Sequence, residues 1–263
     1  MAVEVSRSRG GRPPAENGDP GEAPFEPIQQ LRAHEYVAEQ VRRHIALRLI
    51  RPGESLPSER ELASMFGVGR PTIQHAMRVL EADHLVEARR GRGGGTFVRE
   101  PAEDSGAMEE LVARVLRQGD ELDELLGWRR TLEPVIAREA ARARRRADLT
   151  AIRGTIREME RAATEADYMR YDTEFHLAVA GAARNRFMRG AIEEVRLGLN
   201  DALSLLPESD AWHRRLSREH RAVAAAIEAR DADAAAAAMD LHVMNSVQGV
   251  RAALAAIRRS MAS

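Results

Sequence analysis

Asp172 and His176 stand four residues apart, and on a helix that spacing projects both side chains from one face, about one turn apart. Two ligands of one ion need such a spacing. His220 and His242 each lie eleven residues from Asp231, where a turn is expected, and in an antiparallel helical hairpin two such positions stand at the same height. One carboxylate and three imidazoles suit a borderline divalent ion, Zn²⁺, Ni²⁺ or Mn²⁺, better than a thiophilic one. The same pattern also arises without metal, because Asp-x-x-x-His is frequent on helices and a lone histidine is more often a surface or hydrogen-bonded core residue. His213 precedes His220 by seven residues, about 10 Å along a helix, and is left out of the set.

Other chemistries are excluded by what the chain lacks. It has no cysteine, hence no disulfide, thiolate ligand or cysteine nucleophile. All 40 of its Lys and Arg residues are arginine, which removes Schiff-base chemistry, a lysine general base and the phosphate-loop lysine. No run of apolar residues is long enough to span a bilayer, and the basic N-terminus has no apolar stretch behind it. A cytoplasmic protein is expected.

The elements that must position the histidines are helices. A chain of 263 residues that is 44% apolar but only 4% aromatic predicts two domains of helix packed on helix, a mostly α fold. Beyond a linker at 101–106, helices are predicted near 107–118, 121–146, 148–165, 167–181, 185–206, 209–230 and 232–259. Breaks fall at Gly119-Asp120, Asp148, Asp167, Gly181, Pro207 and Asp231. The expectation is an all-α bundle of six or seven helices over 107–259. The arginines at 142 and 144–146 fit a solvated helix C-terminus better than a nucleic-acid contact.

The first part of the chain reads differently. Residues 1–27 hold nine glycines and prolines and are expected to be a disordered tail. Val37, Val41, Ile45 and Leu49 form a four-residue ladder, one buried helical stripe. Ser58 and Glu61 make a capping box, and the short helix it starts stops at Gly67-Val68-Gly69. Pro71 is tolerated in the first turn of the next helix, whose stripe is Ile73, Ala76, Met77 and Leu80. Two short helices around a tight turn read as helix-turn-helix. Leu85–Arg89 and Thr96–Arg99 then look like strands flanking Arg90-Gly91-Arg92-Gly93-Gly94-Gly95, an arginine-tipped wing. Residues 28–99 hold twelve arginines against eight acids, a balance of +4 in a chain whose net charge is −1. Basic charge is therefore concentrated in the module that looks like a reader of double-stranded DNA.

At this point residues 32–258 resemble the GntR regulators of the FadR subfamily, whose C-terminal half is the FCD domain. The matching runs are Pro52 to Ala63, Gly67 to Ile73 and the glycine wing, then Arg129 to Pro134, Asp172 to His176 with Asn185, Glu219-His220-Arg221, Arg230-Asp231 and His242. The resemblance implies a winged helix-turn-helix over 28–101 and a ligand-binding, dimerising FCD-like bundle over 107–259. It implies a divalent metal ion on Asp172, His176, His220 and His242, the four residues that spacing alone selects. It implies DNA contacts from Arg60, Arg70, Pro71, Thr72, Gln74 and the wing residues Arg90, Arg92 and Gly93. In this family an organic acid often completes the metal's coordination, and Arg129 or Asn245, near His242, is placed to hold its far end. The sequence departs from the pattern at Gly69, where Ser or Thr is common, and at Gln74, where Arg is usual. Arg reads guanine, whereas Gln pairs bidentately with adenine.

The function expected is a transcriptional regulator, a repressor, that binds a pseudo-palindromic operator as a homodimer and responds to a small carboxylate effector. It is not expected to be an enzyme or to meet a membrane. Two alternatives are a metal-dependent enzyme using the Asp/His₃ site, whose open coordination positions would take water or substrate, and a regulator whose metal is only structural. An enzyme does not need a basic winged helix-turn-helix in front of it.

Overall fold

The computed structural model describes residues 32–91, 93–99, 107–206 and 209–261. The expected tail, the linker at 101–106, the break at Pro207 and the wing residue Arg92 lie outside the described residues. Among the described residues there are nine helices and one two-stranded sheet, so the chain is mostly α, as its composition requires. No helix among them is long and apolar enough to cross a membrane.

Helix α1 (Ala33–Ala46) buries Val37, Ala38 and Val41. The apolar ladder continues in sequence to Leu49, but the backbone turns left-handed at Arg48, with φ of 60°. The helix ends there, and Leu49 packs against the core of the C-terminal bundle instead. Helix α2 (Glu59–Phe66) begins at the capping box: the Glu61 N–H donates to Ser58 Oγ at 3.3 Å and the Ser58 N–H to Glu61 Oε2 at 2.9 Å. It stops at Gly67, whose φ of 64° a side chain would resist. Helix α3 (Arg70–Ala82) starts with Pro71 in its first turn and buries Ile73, Ala76, Met77 and Leu80.

Strands β1 (Val86–Arg89) and β2 (Gly95–Val98) pair antiparallel, with Val86 opposite Val98. Between them Gly94 is obligatory, because a Cβ there would lie 2.5 Å from the Arg89 carbonyl oxygen. The other edge of β2 is not empty. The Leu56 N–H donates to the Thr96 carbonyl at 2.8 Å, the Val98 N–H to Glu54 at 2.9 Å and the Gly53 N–H to Val98 at 2.9 Å. The segment before α2 thereby forms a third edge of the wing.

The bundle comprises α4 (Ala107–Ala143), α5 (Arg146–Arg161), α6 (Glu165–Ala182), α7 (Arg186–Leu203), α8 (Asp210–Ala229) and α9 (Ala232–Met261). The break expected at Gly119 is a kink inside α4, with φ of 50° and ψ of −124° there. Two other breaks fall earlier than their aspartates suggest, because those aspartates serve as first-turn residues. Asp148 accepts from the Arg145 N–H at 2.7 Å, and the Asp167 N–H donates to the capping Thr164 Oγ1 at 3.1 Å. Helix α6 lies against α4, α5 and α7 and buries ten of its eighteen side chains, so its polar residues Asp172, Thr173 and His176 are interior. Phe175, Leu199, Ile227 and Met239 are wholly buried around them, each contributing about 1.5–3 kcal/mol by leaving water. That apolar packing holds the charged cluster in place.

Candidate functional site

Three helices converge on one buried cluster. α6 brings Asp172 and His176, α8 brings His220 and α9 brings His242, each no more than 7% exposed. The α8–α9 turn is fixed by Arg230, left-handed with φ of 59°, and by Asp231 Oδ1, which accepts from the Ala234 N–H at 2.9 Å. Equal distances along the chain from that turn bring the His220 and His242 rings to 4.4 Å between centroids. One donor atom from each of the four residues lies within 4.8 Å of every other. The nearest separations are 3.3 Å for His220 Nε2 to Asp172 Oδ1, 3.3 Å for His242 Nε2 to His176 Nε2, and 3.8 Å for His176 Nε2 to Asp172 Oδ1. Metal–ligand bonds of about 2.0–2.2 Å set tetrahedral edges of about 3.4 Å, so the donors are spaced to hold a divalent ion with little movement. His220 is wholly buried, and Asp172 is the group its Nε2 faces.

An outer ring of charge orients these donors. His176 Nδ1 lies 2.5 Å from Glu133 Oε2, and His242 Nδ1 donates to Glu219 Oε2 at 3.1 Å. Each carboxylate holds the proton on Nδ1 and turns Nε2 toward the cluster, the arrangement that fixes tautomer and ring angle in metal sites. Asp172 Oδ2 pairs at 2.8 Å with Arg196, whose side chain is fully buried. Burial alone would push the Asp172 carboxyl up, but Arg196, His220 and His176 hold it well below the ordinary carboxylate range. Burial also opposes the charged form of Glu133, and His176 and Arg129 reverse that, leaving its carboxyl below its usual value. All three imidazoles are pushed down by burial, His176 against the pull of Glu133 and His220 against that of Asp172. For His242 the neighbouring His220 adds to the effect. Neutral imidazoles beside an ionised aspartate are what a cation requires.

Arg129 is buried beside the cluster. Its guanidinium donates to Glu133 Oε1 at 2.6 Å and Ser246 Oγ at 3.0 Å, and lies 3.4 Å from His176 Nε2. With Asp172, His242 and Ser246 it lines a cavity of about 20 Å³. Asn245 is turned elsewhere and donates to Glu219 Oε1 at 2.7 Å. His213 lies apart from the cluster, 3.0 Å from Glu165 and stacked on Tyr168. Sequence reasoning missed Glu133, Arg196, Glu219 and Ser246. Glu133 and Glu219 fall inside the runs of resemblance, but only the packing of the helices shows what they touch.

On the winged module Arg60, Arg70, Pro71, Gln74, Arg90 and Gly93 are exposed and Thr72 is half-buried. Glu59 Oε2 accepts from Gln74 Nε2 at 3.0 Å and from Arg70 at 3.4 Å, which ties the amide nitrogen of Gln74 to a carboxylate. Gly69 caps α3 without any side-chain bond. Arg78, exposed one turn after Gln74, shares the α3 surface and was not foreseen.

Residues 33–98 match the bacterial regulatory proteins of the gntR family, and residues 124–245 match the FCD domain. The chain belongs to the GntR family. The HTH-type transcriptional regulator LutR of Bacillus subtilis (strain 168) is 31% identical over 204 residues, covering 74% of this chain and 91% of that protein. A putative L-lactate dehydrogenase operon regulatory protein of Escherichia coli (strain K12) is 29% identical, covering 81% of this chain and 84% of the relative. The HTH-type transcriptional repressor NanR of Citrobacter rodentium (strain ICC168) is 27% identical, with 87% and 88% covered. The solved structure of E. coli McbR/YncC shares the fold, with a TM-score of 0.50 at 16% identity, covering 84% of this chain and 98% of that one. This GntR-family protein is thus a transcriptional regulator with a C-terminal FCD domain, and the relatives named here are regulators, not enzymes.

Proposed function

We propose that this GntR-family regulator is a cytoplasmic, homodimeric repressor whose hold on a pseudo-palindromic operator is set by a small organic acid bound at a metal ion in the bundle. The DNA-binding module is residues 28–101 and the effector-binding and dimerising one is 107–259. The buried Asp172, His176, His220 and His242 cluster carries this reading, because four donors at metal-ligand separations have no structural reason to be kept dry together. A divalent ion bound there supplies a Lewis-acidic centre for an anionic oxygen. Arg129, fixed by Glu133 and Ser246, pairs with the same acid, and Asn245 acts through Glu219 on His242.

In the winged module Arg60, Arg70, Thr72 and Arg90 hold the phosphate backbone while Pro71, Gln74 and Gly93 approach the groove, and Arg92 joins them from the wing. One recognition helix reads too few base pairs alone, so two copies are required. Trp128 and Val135, exposed seven residues apart on α4, offer an apolar strip for the second copy. The test is native mass spectrometry with metal analysis of wild type and of the His176→Ala/His220→Ala double variant. The expected result is a dimer with one divalent ion per chain, and a variant without metal that still binds operator DNA. A variant that keeps stoichiometric metal overturns the site, and a monomer both free and on DNA overturns the dimer.

A further inference from the structure

The cavity of about 20 Å³ beside the cluster has a lining of two kinds, the charged Arg129 and Asp172 and the apolar Leu203, Leu206, Leu216 and Trp212. Leu203 and Leu216 are buried whereas Leu206 and Trp212 are half-buried, so the apolar lining leads from the interior outward. The space itself takes about one water-sized group, the size of a single carboxylate oxygen.

The polar groups of the cluster have partners inside the protein: Arg129 is held by Glu133, Asp172 by Arg196 and His242 by Glu219. Tyr168 is different. It lines the same cavity, one turn before Asp172 on α6 and so on the same face of that helix. It is 4% exposed and its ring stacks on His213 at 4.3 Å, yet its hydroxyl is buried with no hydrogen-bond partner among the described residues. A buried hydroxyl in that condition costs folding free energy. Burial pushes the phenol up, and Asp172, Glu165 and Glu219 push it further, so the group stays protonated and can donate to an anionic oxygen.

We propose that Tyr168 is a ligand-binding residue, its hydroxyl donating to an oxygen of the acid held at the metal centre while the acid's aliphatic end lies along Leu206 and Trp212. The effector is accordingly a short aliphatic carboxylate. This rests on the reading of the cluster as a metal-and-acid site.

The experiment is calorimetric titration of the Zn²⁺-loaded full chain, wild type and Tyr168→Phe, with formate, acetate, propionate and butyrate, repeated after chelation. Urea unfolding of both chains in chelator accompanies it. The substitution removes one oxygen and keeps the buried ring. Affinity for wild type should rise from formate to propionate as methylenes leave water. The variant should bind the best of these acids about tenfold or more weakly, the loss of a hydrogen bond to a charged group. Its Zn²⁺ affinity in chelator competition should be unchanged, and its urea midpoint should equal or exceed that of wild type, because an unmatched buried group is gone. A variant whose acid affinity stays within about twofold of wild type, or whose midpoint falls, overturns the role of Tyr168 and leaves the metal-and-acid reading standing. Affinity that does not rise along the series overturns the apolar seat. If the difference between the chains persists after chelation, Tyr168 keeps its role and the metal reading falls. Failure of wild type to bind any of these acids overturns both.

Discussion

Glu219→Ala isolates the orientation of a single ligand. Glu219 Oε2 accepts from His242 Nδ1 at 3.1 Å while Oε1 accepts from Asn245 at 2.7 Å. Without that carboxylate His242 is free to move its proton to Nε2 or to swing away, and one of four donors is no longer pre-aligned. Loss of such an outer partner costs about 10–100-fold in metal affinity. Glu219 is half-buried and three donors stay in place, so the lower end applies, about tenfold or about 1.4 kcal/mol. Glu219→Gln keeps an acceptor for His242, and a half-turn of the Asn245 amide repairs the other bond, so that variant should lie within about threefold of wild type, well under 1 kcal/mol. Glu133 is the poorer choice because its loss strands Arg129, 1% exposed, as a buried unpaired cation at about 3–5 kcal/mol. Competition for Zn²⁺ with a chromophoric chelator at pH 7.5 measures all of this. If Glu219→Ala binds Zn²⁺ as tightly as wild type, or Glu219→Gln loses as much as the alanine, orientation through this hydrogen bond is not how the site works.

The metal-free chain should lose stability as pH falls below the ordinary histidine value of 6.5. His176, His220 and His242 have folded pKa values pushed below it by burial, so the unfolded chain takes up protons that the folded chain refuses. The stability they confer is full above pH 6.5 and drains at up to about 4 kcal/mol per pH unit for three sites. A urea midpoint that does not change between pH 7.5 and 5.5 in chelator would contradict this. Arg70→Ala should weaken binding to all DNA sequences and lower the salt slope by about one, and unchanged binding at physiological salt would refute the docking. Operator selection from a random pool should move from adenine to guanine at one symmetric pair of positions in Gln74→Arg. Glu59→Ala, which releases the Gln74 amide nitrogen, should sharpen adenine preference by about 1–3 kcal/mol; sites identical to wild type would show that Glu59 does not restrain that readout.

Local chemistry was legible in the residues and long-range pairing was not. Ser58 and Glu61 announce their own capping box, and Gly67 and Gly94 mark backbone that other residues resist, because those effects act within a few residues. His220 and His242 could be matched across a hairpin because the turn between them is short. Glu219 shows the limit: it neighbours His220 in sequence, yet it faces another direction on α8 and serves His242 on α9. Arg196 looks like any other arginine of a charged helix until the packing of α7 against α6 buries it. The third edge of the wing was hidden for the same reason, since Pro52-Gly53 reads as a turn and its strand-like pairing comes from β2, some forty residues away. Leu49 continued a helical pattern that the backbone abandons at Arg48.

Helix α6 has a second job besides carrying Asp172 and His176. Asp167 pairs with Arg51, and Arg170 pairs with Glu54 at 3.3 Å, so its first turns grip the segment that borders β2 of the wing. Arg170 is two residues from Asp172, and a helix this well packed does not flex over about 3 Å. A displacement of Asp172 is therefore a displacement of Arg170, and the wing's edge is fastened to it. Cluster and wing share one stiff part, and their ligands share one thermodynamic cycle. On the proposed reading of the cluster as an acid site, whatever factor the acid takes from operator affinity, the operator takes from acid affinity. The concentration of acid needed to release a repressor built this way would then be a property of the bound complex, higher on DNA than off it by the full factor of derepression.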